Sequence, residues 1–197
     1  MTSGDRTRRG RQRPRRVRVR RARAAGAAAA AALTVTLAGC GTPGYGAPVA
    51  PTPMSVKSEA FISGVLAQRY TCHGAKKNPP LNWSGAPQGT KSLALIVDDS
   101  SAPITPFIYW LVFDINPGST DIQEGSLPTG ARQAVNSAGT SGYDAPCPGS
   151  RKHSYRFTVY ALSKALALPD GAPLQSAWRA IAAATIGRGR IVVSTYP

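Results

Sequence analysis

The 197-residue sequence predicts a mainly β domain, a β-sandwich with a few short helices, one of them near the C-terminus. Three observations carry that prediction. Four segments after residue 90 are either continuously apolar or alternate with period two, as strands do. Only one later segment, Leu174 to Thr185, repeats its apolar residues at helical spacing. Finally, strands and helices do not alternate, which argues against a doubly wound parallel sheet.

In chain order, the first element is not part of the domain. Lys and Arg number 24 against 9 Asp and Glu, a balance that by itself suggests a nucleic-acid partner. Eleven of those basic residues, all arginines from Arg6 to Arg23, precede Cys40 with a single acid, Asp5. Without them 13 basic and 8 acidic residues remain, so no nucleic acid is expected. Residues 1–39 have the form of a signal peptide: a basic stretch, an apolar run from Ala24 to Leu37, and small residues before a cysteine. The apolar run, about 14 residues, is too short for a membrane span of roughly 20. Leu37-Ala38-Gly39-Cys40 resembles the lipobox of bacterial lipoproteins, in which Cys40 would carry diacylglycerol and acyl chains such as palmitate. The long basic region fits either a later translation start, at Val17 or Val19, or twin-arginine export through Thr7-Arg8-Arg9. The expected location is the extracytoplasmic face of a cell membrane, reached through a lipid anchor.

Residues 40–53 follow as the lipidated cysteine and a flexible linker, because Gly, Pro, Ala and Thr offer little to bury. The domain spans 54–197, a usual size for one core. Its strands are Ser92–Asp98, Phe107–Ile115, Tyr155–Ala161 and Arg190–Tyr196, joined by long Pro- and Gly-rich connections. The second of them is rich in β-branched and aromatic residues. In the third, Tyr155, Phe157, Val159 and Ala161 share one face. Period two also sends Tyr109 and Trp110 to opposite faces, and Trp83 and Trp178 read as core.

With Cys40 assigned to lipid, Cys72 and Cys147 remain as an even pair, whose disulfide would close a loop of about 75 residues in an oxidising compartment. Only His73 and His153 can join the cysteines as metal ligands, and no spacing supports a site. Neither metal nor cofactor is expected. The sequence has no Gly-x-Ser-x-Gly elbow. A Cys147–His153 nucleophile and base competes with the disulfide, and the chain reads as a non-enzyme.

Tyr70-Thr-Cys-His-Gly74, then Pro79-Pro-Leu-Asn-Trp83, resembles the signature of bacterial phosphatidylethanolamine-binding proteins, also called Raf-kinase-inhibitor-like proteins. Gly89 to Asp99, Trp110-Leu-Val, Gly142-Tyr143, Ala145-Pro-Cys-Pro148 and His153-x-Tyr-x-Phe follow at the family's spacing. The resemblance covers about Phe61 to Tyr196. It implies an antiparallel β-sandwich with a small anion-binding cavity built from Asp99, Tyr109, Pro146, His153 and Tyr155. A histidine and a phenol donate to phosphate oxygens, while an acid orients the histidine or meets an ammonium group. Asp99 serves equally to cap the turn at Ser100 and Ser101. Where the family carries acids this chain has Ser101 and His73; where it carries histidines it has Tyr109 and, at the last helix, Thr185. The expected partner is a phospholipid head group or another small phosphorylated or anionic ligand. The alternative is a protein partner, an extracytoplasmic protease or kinase that the domain inhibits.

Overall fold

The computed structural model describes residues 50–102 and 104–195. The signal peptide, Cys40 and residues 41–49 of the linker lie outside the described residues, as do Tyr196 and Pro197.

Among the described residues nine strands form two sheets, accompanied by one α-helix. The strands are β1 (Thr52–Pro53), β2 (Ser55–Lys57), β3 (Leu81–Ser84), β4 (Ser92–Asp99), β5 (Phe107–Ile115), β6 (Asp121–Ile122), β7 (Arg132–Gln133), β8 (Ser154–Leu162) and β9 (Thr185–Ser194). Helix α1 covers Leu174–Ala184, and two 3₁₀ turns sit at Ile62–Gly64 and Gln68–Tyr70. The larger sheet runs β1-β9-β8-β4-β5-β7 and the smaller one β2-β3-β6. All pairings between these strands are antiparallel except β1 on β9, which is parallel, so the large sheet is mixed.

The predicted strands at 92–98, 107–115 and 155–161 are all present, the first longer by one residue and the third by one at each end. The last strand begins five residues earlier than expected, since β9 takes over directly from the helix at Thr185. Alternation divides the large sheet into two faces. Leu93, Leu95, Val97, Phe157, Val159 and Ala161 pack with Val56, Leu81, Trp83 and Ile122 of the small sheet. On the opposite face Ala94, Ile96, Leu111, Phe113 and Leu162 pack with Ala177, Ile181 and Ala184 of α1. Each large apolar side chain buried this way contributes about 1.5–3 kcal/mol relative to leaving it in water. Trp83 is core, as predicted, and its indole N–H donates to Ser119 O at 2.7 Å. Trp178 is not. It is 40% exposed, because the buried stripe of α1 is the narrow line Ala177, Ile181 and Ala184, and Trp178 sits beside it.

The chain passes from the large sheet to the small one at Met54, whose N–H donates to Arg188 O at 3.0 Å. Gly189 makes the crossing possible, since a Cβ there would stand 2.6 Å from Met54 O. This crossing lies near the start of β9, while the end of β9 runs beside Ser154 at the other edge of the sandwich.

A second departure from period two lies in β5. Val97 is opposite Trp110 but Asp98 is opposite Ile108, so Tyr109 is the extra residue of a β-bulge. The bulge turns Tyr109 to the same side as Trp110, and both pack on the core between the two sheets. Sequence alternation placed them on opposite faces; the bulge is the reason they are not.

Candidate functional site

Four strand ends meet at the edge of the sandwich: the end of β4, the start of β5, the start of β8 and the end of β9. Asp99 closes β4 on the same face as Val97, and its register partner on β8 is Tyr155. Two residues before Tyr155, His153 lies at the mouth of β8. Its Nδ1 is 2.7 Å from Asp99 Oδ2. An ionised carboxylate only accepts, so Nδ1 carries the proton and the ring's other nitrogen, Nε2, is the one that can meet a ligand. Asp99 is buried and the His153 side chain is 30% exposed, so the carboxylate anchors the ring from inside. Asp99 Oδ1 also accepts from the Ser101 N–H at 2.7 Å. The turn-capping role and the histidine-orienting role expected of Asp99 are therefore both present, one on each oxygen.

Aromatic rings fill the space beneath. The His153 ring lies parallel to Tyr155, with centroids 5.9 Å apart and 6° between planes. Tyr109 meets Tyr155 edge-on at 5.6 Å and Phe107 at 4.8 Å. The Tyr155 hydroxyl is fully buried and makes no hydrogen bond, although the Tyr109 and Thr195 hydroxyls are its neighbours. Burial, then the nearby Tyr109 and Asp99, pushes the Tyr155 phenol well above its ordinary range. Burial likewise pushes Tyr109 up to about 12, helped by Asp99 and Asp144. Tyr143, whose hydroxyl donates to Tyr70 O at 3.0 Å, is raised mainly by burial. All three phenols stay protonated donors near neutral pH.

Of the residues expected to form the cavity, Asp99, Tyr109, His153 and Tyr155 come together. Pro146 is buried, and its carbonyl accepts from the Cys72 N–H at 2.9 Å. Its loop reaches the cluster through Asp144, whose N–H donates to Tyr109 O at 2.9 Å. Ser101, in place of an acid, accepts from the Ser154 N–H through its hydroxyl at 3.0 Å, and Ser100 O–H donates to Ser154 O at 2.9 Å. The loop after Asp99 is thus stitched to β8 without adding a second negative charge. Thr185 does not belong here. It bonds back to Ile181 O at 2.7 Å and sits opposite Leu162, at the far end of β8 from Tyr155. The register of β8 and β9 separates it from the cluster by about 25 Å at 3.3 Å per residue.

Sequence reading missed Thr195. Its hydroxyl accepts from the His153 N–H at 3.4 Å, and its own N–H donates to His153 O at 3.1 Å. Thr195 also borders an adjoining cleft of about 380 Å³ lined by Leu66, Gln68, Thr71, His73 and Pro148. Only the β8–β9 register brings Thr195 to the site, and no local motif signals it. Cys72 and Cys147 form the expected disulfide, with Cα atoms 5.0 Å apart. Cys147 therefore presents no thiolate to pair with His153 as nucleophile and base.

Comparison with known proteins matches this architecture. A family model described as phosphatidylethanolamine-binding protein covers residues 56–196. A UPF0098 protein of Methanothermobacter thermautotrophicus is 41% identical over 145 residues, 71% of this chain and 96% of that protein. LppC of Mycobacterium tuberculosis, whose name marks it as a candidate lipoprotein, is 42% identical over 149 residues, 74% of this chain and 73% of that one. Among solved structures, CT736 of Chlamydia trachomatis aligns with a TM-score of 0.67 at 32% identity, covering 74% of this chain and 99% of its own. Escherichia coli YbcL aligns with a TM-score of 0.68 at 28% identity, over 73% of this chain and 98% of its own.

Proposed function

Because the chain belongs to the phosphatidylethanolamine-binding protein family, we propose that it is a non-catalytic, membrane-tethered extracytoplasmic protein that binds a phospholipid head group or another small phosphorylated anion. The observation that carries this reading is the Tyr155 hydroxyl, buried and without a hydrogen bond. A buried polar group left unpaired costs about 1–3 kcal/mol, and a ligand oxygen that accepts from it removes the cost. His153, held by Asp99 through Nδ1, supplies the second donor through Nε2 when its ring is protonated. The Asp99 carboxylate is committed to His153 and Ser101, which leaves Asp144, beside Tyr109, as the acid that an incoming anion has to avoid. The tethering part of the proposal rests on the Leu-Ala-Gly-Cys40 sequence and on the name of the mycobacterial relative.

Calorimetric titration of the purified protein with phosphate and with phosphoethanolamine tests the binding. Saturable uptake is expected, lost in His153→Ala and Asp99→Ala. A flat titration with both ligands would overturn the reading. One observation favours a protein partner as the second reading: Ile104, on the loop that follows Asp99, is 92% exposed. A partner protein recovered from membrane extract with the wild-type chain and lost with Ile104→Asp would move the function to that loop.

A further inference from the structure

The corner of the domain behind Pro146 holds a second cluster, which the anion site does not use. Cys72, His73 and Cys147 each offer a ligand atom, and these atoms all lie within 4.8 Å of one another. His73 and Cys147 are exposed and Cys72 is half-buried, so the corner is open to solvent. Nothing in the spacing of these residues along the chain announces the cluster. Two loops 75 residues apart in sequence create it.

We propose that reduction of the Cys72–Cys147 disulfide converts this corner into a site for a divalent cation of Zn²⁺ type, with the two cysteine sulfurs and the His73 imidazole as ligands. Water takes the fourth position. In a four-coordinate zinc site the sulfurs stand about 2.3 Å and the nitrogen about 2.0 Å from the ion, which puts neighbouring ligand atoms roughly 3.5 Å apart. The three side chains here are already gathered within a slightly wider circle, and the cysteine Cα atoms are 5.0 Å apart.

The opening step is thiol–disulfide exchange with a dithiol reductant. One reductant thiolate attacks the exposed Cys147 sulfur, the S–S bond breaks, and the Cys72 thiolate leaves and takes up a proton. The reductant's second thiolate then attacks the mixed disulfide and closes its own ring. Cys147 is released as a thiol, and two electrons have passed from reductant to protein. Metal binding displaces the two thiol protons, leaving thiolate ligands.

The frame around the cysteines does not depend on their bond. Cys72 N–H donates to Pro146 O at 2.9 Å, and Tyr143 O–H to Tyr70 O at 3.0 Å, so two hydrogen bonds join the loops on either side of the disulfide. On the His73 side the turn is closed by Gly74 N–H to Thr71 O at 3.0 Å and Ala75 N–H to Arg69 O at 2.8 Å. Gly74 itself is packed so tightly that a Cβ would fall 2.4 Å from the Arg69 Cα. Both ligand-bearing loops thus stay in place when the sulfurs separate.

Cobalt(II) titration of the full-length protein, with and without a phosphine reductant, tests the proposal. The reduced protein is expected to bind one equivalent, with a thiolate-to-cobalt charge-transfer band in the near ultraviolet and visible bands of a four-coordinate ion. The oxidised protein should show neither. His73→Ala should weaken binding by about tenfold or more while keeping the charge-transfer band, and Cys147→Ser, which leaves one thiolate, should weaken binding and diminish that band. Circular dichroism run in parallel should show the β signal unchanged on reduction. A reduced wild-type protein without a saturable cobalt spectrum would overturn the proposal. So would a His73→Ala variant that binds as tightly as wild type, or loss of the folded sheet on reduction.

Discussion

Asp98 and Asp99 are neighbours on β4, both buried, and each is paired with a basic residue at the start of β8. Because a strand alternates, they point to opposite faces and do different work. Asp98 faces the helix side and meets Arg156, whose Nε lies 3.1 and 3.0 Å from its two oxygens and whose Nη2 also bonds Oδ2. That pair is bidentate and complete. Asp99 faces the small sheet and meets His153, which keeps a second ring nitrogen and can change its charge. Beside it stands the buried Tyr155 phenol, which makes no hydrogen bond. The same strand therefore closes one ion pair and leaves the other available. Burial alone does not separate a structural pair from a site; what separates them is whether the partner has a valence left over.

Four measurements test that contrast. The largest expected effect is on the closed pair: Arg156→Ala leaves the Asp98 carboxylate buried and alone and should cost about 3 kcal/mol in chemical denaturation. Phosphate affinity should not change, and a variant that loses binding but not stability would reverse the assignment. Next comes alkaline pH. Tyr109 is raised to about 12, and Tyr143 and Tyr155 are raised further, all mainly by burial. The folded state holds these protons more tightly than the unfolded one, whose phenols titrate near 10. Their contribution is complete below pH 10 and falls as pH rises through 12. Denaturation midpoints should therefore be flat in these groups up to about pH 10 and drop beyond it, less steeply in Tyr109→Phe.

Tyr155→Phe should move two properties in opposite directions. Removing an unpaired buried hydroxyl should raise the stability of the ligand-free protein by about 1 kcal/mol, while anion affinity falls about tenfold. A loss of stability would mean that the hydroxyl is already satisfied within the fold. The smallest effect is expected for Ser101→Ala, which removes the acceptor for the exposed Ser154 N–H and should cost about 0.5 kcal/mol.

The long elements were readable because they are long and apolar. Phe107–Ile115 matches its predicted span end to end, and Leu174–Ala184 differs from the prediction only at Thr185. The small sheet was not readable. β2, β3 and β6 have three, four and two residues, too few to show a period, and only their pairing gives them identity. Tyr109 shows a different limit: one extra residue in β5 changes its face, and bulges leave no mark in a two-residue repeat. At the site, Asp99, His153 and Tyr155 were legible through motif resemblance. Thr195 and the empty valence of Tyr155 were not, because both depend on which strands lie side by side.

The parallel pairing of β1 has a mechanical consequence. Thr52 lies beside Gly187 near the start of β9, whereas Ser194 at its end lies beside Ser154 and the Asp99 cluster. Seven residues of β9 separate the two points, about 23 Å at 3.3 Å per residue. A tether ahead of Thr52 would thus hold the large sheet at the end remote from the Asp99 cluster. If the proposed tether holds that end, the cluster meets the anchoring layer only when the domain tips over.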